Sequence, residues 1–203
     1  AAPKPEATYL KITCADGFDE YVSLDLIRED DRIMMAYAWD DRPLLQKHGF
    51  PVRIHIPNHY GMKQPKWITN IEFVENWDEG YWVRRGWGAR GPVKTASRID
   101  KPQPFAQLKP GAQTIAGVAW KQRQGIKAVD VRVDDGPWQP AELLPTPSVD
   151  TWVQWRFPWN ARPGPHSLSV RATDRSGATQ TEERATPFPS GATGWHTITV
   201  TVS

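Results

Sequence analysis

The sequence predicts a mostly β fold with few short helices, built in two parts. A small α+β part spans residues 1–98 and an all-β sandwich spans residues 99–203. Three observations carry this reading. Short runs rich in β-branched and aromatic residues recur along the chain. Nineteen prolines and fifteen glycines punctuate 203 residues, which favours short elements joined by turns over long helices. The Pro-rich stretch S-R-I-D-K-P-Q-P (97–104) breaks the composition and reads as a linker.

The elements follow in order. T-Y-L-K-I-T (8–13) alternates as a strand, Asp16-Gly17 signals a turn, and E-Y-V-S-L (20–24) pairs back as a hairpin. S-L-D-L-I-R-E (23–29) reads as a short helix with Ser23 or Asp25 as its cap. I-M-M-A-Y-A-W (33–39) suits a strand or a helix, and a strand ending at the turn D-D-R-P (40–43) is favoured. P-V-R-I-H-I-P (51–57) and W-I-T-N-I-E-F-V (67–74) are strands. Y-W-V-R-R (81–85) then leads into a Gly/Trp/Arg-rich loop (86–92).

Beyond the linker, strands are expected at 114–120, 127–133, 151–157, 166–173 and 195–202. Turns stand at D-D-G-P (134–137), P-G-P (163–165) and D-R-S-G (174–177). Short strands at this spacing, with no helical pattern among them, suggest an immunoglobulin-like β-sandwich. Eleven tryptophans are enough to fill a β-rich core and still line a pocket or an interface.

Charge is distributed unevenly. Residues 1–41 hold ten acids and four bases, residues 42–101 eleven bases and five acids, and residues 102–203 ten bases and eight acids. The basic excess therefore belongs to the middle of the chain, which fits a local anion site better than a generally basic, nucleic-acid-binding protein. Its densest part is H-G-F-P-V-R-I-H-I-P-N-H-Y-G-M-K-Q-P-K-W (48–67). Arg53, Lys63, Lys66 and three histidines fall within it, and no acid occurs between Arg42 and Ile71. A short strand followed by a stiff turn delivers these cations to one place, as a phosphate requires.

Here the chain resembles the molybdopterin enzymes of the sulfite oxidase family. The segment just quoted is similar to the family's pterin-phosphate segment, and K-T-A-S-R-I-D (94–100) to its join with the last domain. I-A-G-V-A-W, G-I-K-A-V-D-V-R-V-D-D-G-P-W, W-V-Q-W-R and G-W-H-T-I-T-V are similar to its C-terminal sandwich. The resemblance implies the C-terminal part of a sulfite-oxidase-type cofactor domain followed by an immunoglobulin-like dimerisation domain. His48, Arg53 and Lys66 would contact the pterin or its phosphate, with Lys63 and Gln64 in the same contact loop. Trp82, Arg84, Arg85 and Trp87 would border the metal pocket. Arg156 would match an arginine directed at an anionic substrate.

Two departures matter. The family's tyrosine near the metal is matched by Trp87, which donates one N–H and has no phenolic proton to share, so the substrate is left open. The family's metal ligand is a cysteine thiolate from an earlier segment. The lone Cys14 lies in a hairpin context instead, where it reads as a small strand residue, so no metal ligand is expected in this chain. The implied activity is oxygen-atom transfer at molybdenum, with the molybdenum cofactor (molybdopterin) incomplete or absent in this chain alone. The implied partners are the missing N-terminal half of the cofactor domain, a haem-type electron-transfer partner and a second copy in a homodimer. An extracytoplasmic, periplasmic location in a bacterium is implied as well.

The alternative is a non-catalytic module for dimerisation or redox-partner docking. The start A-A-P-K-P-E-A-T reads as a cut boundary, and a single thiol leaves the compartment open. Bland readings stay open for several residues. Arg84 and Arg85 also suit a solvated charge pair, Trp87 suits core or interface packing, and Arg156 an exposed arginine beside core aromatics. Asp30/Asp31, Asp40/Asp41 and Glu182/Glu183 lie in turns or polar loops and do not face each other across a cleft, so paired-carboxylate glycosidase chemistry is unsupported. No G-x-S-x-G or phosphate-loop motif occurs.

Overall fold

The computed structural model describes residues 3–203 and divides into two compact units. The front unit runs to Pro92 and also takes in Phe188–Ser190. The second contains Val93–Pro187 and Gly191–Ser203.

In the front unit, β1 (Tyr9–Cys14) and β2 (Asp19–Ser23) form the expected hairpin. Gly17 turns it at φ +80°, where a side chain would be strained. Alternation sends Leu10, Ile12 and Cys14 of β1 inward, and Glu20 and Val22 of β2. α1 (Leu24–Glu29) follows, and of the two candidate caps Ser23 fills the role, its hydroxyl accepting from the Asp25 amide at 3.2 Å.

The run 33–39 does not form one strand. It breaks into β3 (Met34–Ala36) and β4 (Ala38–Trp39), and β4 turns back on β5 (Arg42–Pro43). β3 pairs with β6 (Arg53–His55), which is shorter than 51–57 because prolines at both ends lack the N–H a ladder needs. β7 (Ile68–Val74) pairs with β1 and completes a three-stranded sheet in the order β2-β1-β7. Its core gathers Leu10, Ile12, Cys14, Val22, Leu24, Ile54, Ile56 and Ile68.

The second unit is a two-sheet sandwich. Its strands are β8 (Ala96–Lys101), β9 (Gln107–Leu108), β10 (Gly111–Trp120), β11 (Ile126–Val133), β12 (Gln139–Pro140), β13 (Glu142–Leu143), β14 (Val153–Ala161), β15 (Gly164–Asp174) and β16 (His196–Val202). One sheet has the order β13-β14-β10-β8 and the other β12-β11-β15-β16-β9. Ile99, Ile115, Val129, Val131, Trp155, Leu168, Val170, Ile198 and Val200 share one core.

The linker reading of 97–104 is corrected here. Residues 96–101 pair with β10 and bury Ile99, while the prolines that signalled a linker lie past the strand end. Gly117 makes this pairing feasible, since a Cβ there would sit 1.9 Å from the Arg98 carbonyl oxygen. Across the whole chain the architecture is mostly β, with α1 the only α-helix among the described residues.

Candidate cofactor site

The anion-binding stretch closes on itself. A 3-10 turn at Gln46–His48 presents three successive carbonyls. The Trp67 indole N–H donates to that of Gln46, the Lys66 ammonium to that of Lys47 at 3.0 Å, and the Arg53 guanidinium to that of His48 at 3.1 Å. Lys66 also lies 4.0 Å from the centre of the Trp67 ring. Gly49 is required between them, for its φ of +114° and because a Cβ would meet Lys66 Cβ at 2.8 Å. Sequence-distant cations are thereby held around one exposed histidine, His48.

Neither Arg53 nor Lys66 pairs with a carboxylate among the described residues. Neutral carbonyls orient both heads but leave their charge uncompensated. That combination, oriented cations on a glycine-pinched turn, suits an anionic group such as a phosphate.

The contact loop behind them is arranged differently. Lys63, at the end of a 3-10 turn (Gly61–Lys63), is buried, and its ammonium lies 2.8 Å from Glu20 Oε1. Its charge is committed inward, which leaves the backbone as this residue's route to a ligand. Gln64 is also engaged, donating to the His59 carbonyl at 2.8 Å and meeting His55 Nδ1 at 3.1 Å. Burial pushes the Glu20 carboxyl above its ordinary range, against the pull of Lys63. Its second oxygen, Oε2, is buried without a hydrogen-bond partner. Sequence reading missed Glu20 and its neighbour Asp19. The alternation of D-E-Y-V-S, with Glu20 in phase with buried Val22, was the available signal.

Arg84, Arg85 and Trp87 stand on and after a 3-10 turn at Val83–Arg85. Arg84 forks onto the Asp19 carboxylate, with contacts of 3.0 and 2.5 Å. Arg85 stacks 3.6 Å from the Tyr81 ring centre and donates to the Tyr81 carbonyl at 2.8 Å. Trp87 is half-buried and sits edge-on to Trp82 and to Phe188, at 6.3 and 5.3 Å between ring centres. In the sandwich, Arg156 forms a two-pronged pair with Glu142 at 2.7 and 2.9 Å. Cys14 is buried in the front core, and burial raises its thiol to about 11, a poor starting point for a thiolate metal ligand. Among the described residues no group of three or more His, Cys, Asp or Glu side chains is arranged to hold a metal ion.

Comparison with known proteins gives these similarities. The model of the oxidoreductase molybdopterin binding domain matches residues 1–82. Mitochondrial sulfite oxidase of Mus musculus is 31% identical over 159 residues, covering 64% of this chain and 29% of that protein. The chain is similar to the sulfite oxidase family of molybdopterin oxidoreductases. Drosophila melanogaster sulfite oxidase is 27% identical over 74% of this chain and 32% of its own length. The uncharacterized oxidoreductase YuiH of Bacillus subtilis is 34% identical over 45% of this chain and 46% of that protein. The chain thus spans less than a third of the length of these two sulfite oxidases. Sulfane dehydrogenase SoxCD from Paracoccus pantotrophus shares the fold, with a TM-score of 0.72 over 87% of this chain and 49% of that one at 22% identity.

Proposed function

We propose that this chain forms part of a molybdenum-cofactor oxidoreductase that transfers an oxygen atom to or from a small substrate and exchanges electrons with a haem-type partner. The observation that carries the reading is the pair Arg53 and Lys66. Both are oriented by carbonyls of one turn and neither is neutralised by a carboxylate. These two would hold the cofactor's phosphate, with His48 beside them and the backbone of Lys63 and Gln64 in the same loop. The bound cofactor would supply the oxygen-atom and two-electron chemistry. Arg85 and Trp87 would border the reacting pocket, and the half-buried indole offers an N–H but no titratable proton.

The metal thiolate would come from another segment of the parent protein, because Cys14 is buried in the core. The sandwich, of immunoglobulin-like type in this proposal, would serve a homodimer, and the parent would work outside the cytoplasm in a bacterium. Support for the location is the resemblance to bacterial relatives alone. Fractionation of cells expressing the parent tests it.

The test of the site is pterin retention. The chain is expressed with molybdopterin available, and pterin fluorescence is measured after denaturation. Retention that disappears in an Arg53→Ala, Lys66→Ala variant with unchanged melting temperature supports the reading. No pterin from the wild-type chain overturns it for this chain. That result favours the second reading, a docking module, which the exposed Trp152 packed on Trp120 at 5.3 Å also suits.

A further inference from the structure

Two neighbouring acids on β2 reach the two loops assigned to the cofactor. Strand alternation turns Glu20 inward and Asp19 to the other face. Glu20 Oε1 accepts from Lys63 Nζ at 2.8 Å and from the Tyr21 amide at 2.9 Å. Asp19 takes the Arg84 fork on its carboxylate, and its carbonyl accepts from the Tyr81 amide at 3.0 Å. Lys63 ends the turn that leads directly to Lys66, and Arg84 lies in the turn that leads to Trp87.

The surroundings are built around this arrangement. A Cβ on Gly80 would lie 2.9 Å from Glu20 Oε1, and one on Gly91 would lie 3.1 Å from Lys63 Cγ. Backbone therefore closes on both partners of the ion pair. The Tyr60 amide donates to the Gly91 carbonyl at 2.8 Å, which ties the start of the contact loop to the same wall. A buried ion pair with one orphaned oxygen is a poor way to gain stability, since apolar side chains of similar volume do as well or better. Its better-attested use is to select one arrangement among several.

We propose that Glu20, with Lys63 as its partner, is a positioning residue that sets the register of the contact loop, and that Asp19 does the same for the Arg85–Trp87 loop through Arg84. One strand then holds both loops at a fixed spacing. This inference rests on the reading of Arg53 and Lys66 as a phosphate site. Lys63 acts through the loop and does not touch the ligand.

The experiment titrates the full 203-residue chain with inorganic phosphate, read by phosphorus NMR, alongside thermal melting. Arg53→Ala checks the site itself. The double variant Glu20→Leu, Lys63→Met removes both charges and keeps the volume, so it should fold. It is expected to bind phosphate about tenfold more weakly or worse, the scale on which supporting contacts act. Lys63→Arg, which keeps the charge, should restore most of the affinity. Leu24→Ala lowers the melting temperature through the core and should leave the affinity unchanged.

Phosphate binding that is lost in Arg53→Ala but equal in wild type and the double variant overturns the positioning role and spares the site. Failure of Lys63→Arg to rescue, or a loss of affinity in Leu24→Ala as large as in the double variant, overturns it too. No phosphate binding by wild type removes the site reading, and the inference with it.

Discussion

The two units handle apolar surface in opposite ways. In the sandwich, β10, β14 and β16 alternate cleanly, and Ile115, Trp155, Leu168, Val170 and Val200 are all nearly inaccessible. The front unit closes a smaller core and leaves large apolar groups exposed. Tyr37 and Trp39 are 73% and 75% accessible. Ile71 and Phe73 of β7 stand opposite buried Ile12 and Leu10 in the register and are still exposed. Charge follows the same division. The front unit buries an ion pair and gathers cations without carboxylate partners, while the sandwich keeps the Arg156–Glu142 pair at its surface. The contrast teaches that close packing and uncompensated charge are carried by different parts of the chain. Exposed apolar groups and uncompensated cations in one unit are features expected of a surface that meets a ligand or another segment.

That contrast can be broken experimentally. The largest effect is expected in the sandwich, where Trp155→Ala should cost about 3–5 kcal/mol through the cavity it leaves. Denaturant unfolding measures this, and a loss below about 1 kcal/mol would mean the sandwich core is not closed as described. In the front unit, Lys63→Met should cost about 3 kcal/mol by stranding the buried Glu20 carboxylate. The loss stays at the low end of that range because burial already raises the Glu20 carboxyl, which eases its protonation. A neutral result would show the pair to be irrelevant to the folded front unit.

A smaller, pH-dependent effect belongs to His166. It faces Asp134 at 2.8 Å and the Arg162 carbonyl at 2.8 Å. The Asp134 bond first, then the Arg162 carbonyl, raises its pKa. The folded state therefore holds the proton more tightly than the unfolded one. The added stability is complete below the ordinary histidine pKa and is lost as pH rises through the folded value. The melting temperatures of wild type and His166→Asn should differ most in mild acid and converge above neutrality. A gap that widens with pH contradicts this.

The smallest effect is expected at Arg156. Its exposed pair with Glu142 contributes little, so Arg156→Ala should leave the melting temperature unchanged. Any loss of turnover in the oxidoreductase proposed above then reports on function rather than folding. A clear drop in melting temperature would instead make this pair a structural element.

Much of the fold was legible in advance. The hairpin around Gly17, the helix behind Ser23, and the strands β10, β11, β14, β15 and β16 follow from period-two alternation and turn residues. The exceptions have local causes. Prolines past Lys101 disguised β8 as a linker, and the apolar run 33–39 could not show that it would remain exposed. Within the site, the clustering of Arg53 and Lys66 was visible as spacing. The carbonyls that aim them were not, since any backbone offers carbonyls.

What the sequence determined by itself is which residues share a face and where the chain turns, because both depend on neighbours two to four positions away. The two lysines of K-Q-P-K mark the limit. Lys63 and Lys66 are equivalent in composition and charge, and both read as contacts for one anion. Only the folded chain separates them, by bringing Glu20, 43 positions earlier, against Lys63 and the Lys47 carbonyl against Lys66. The partner that decides whether a lysine is a buried strut or a free cation lies too far along the chain for local pattern to reveal it.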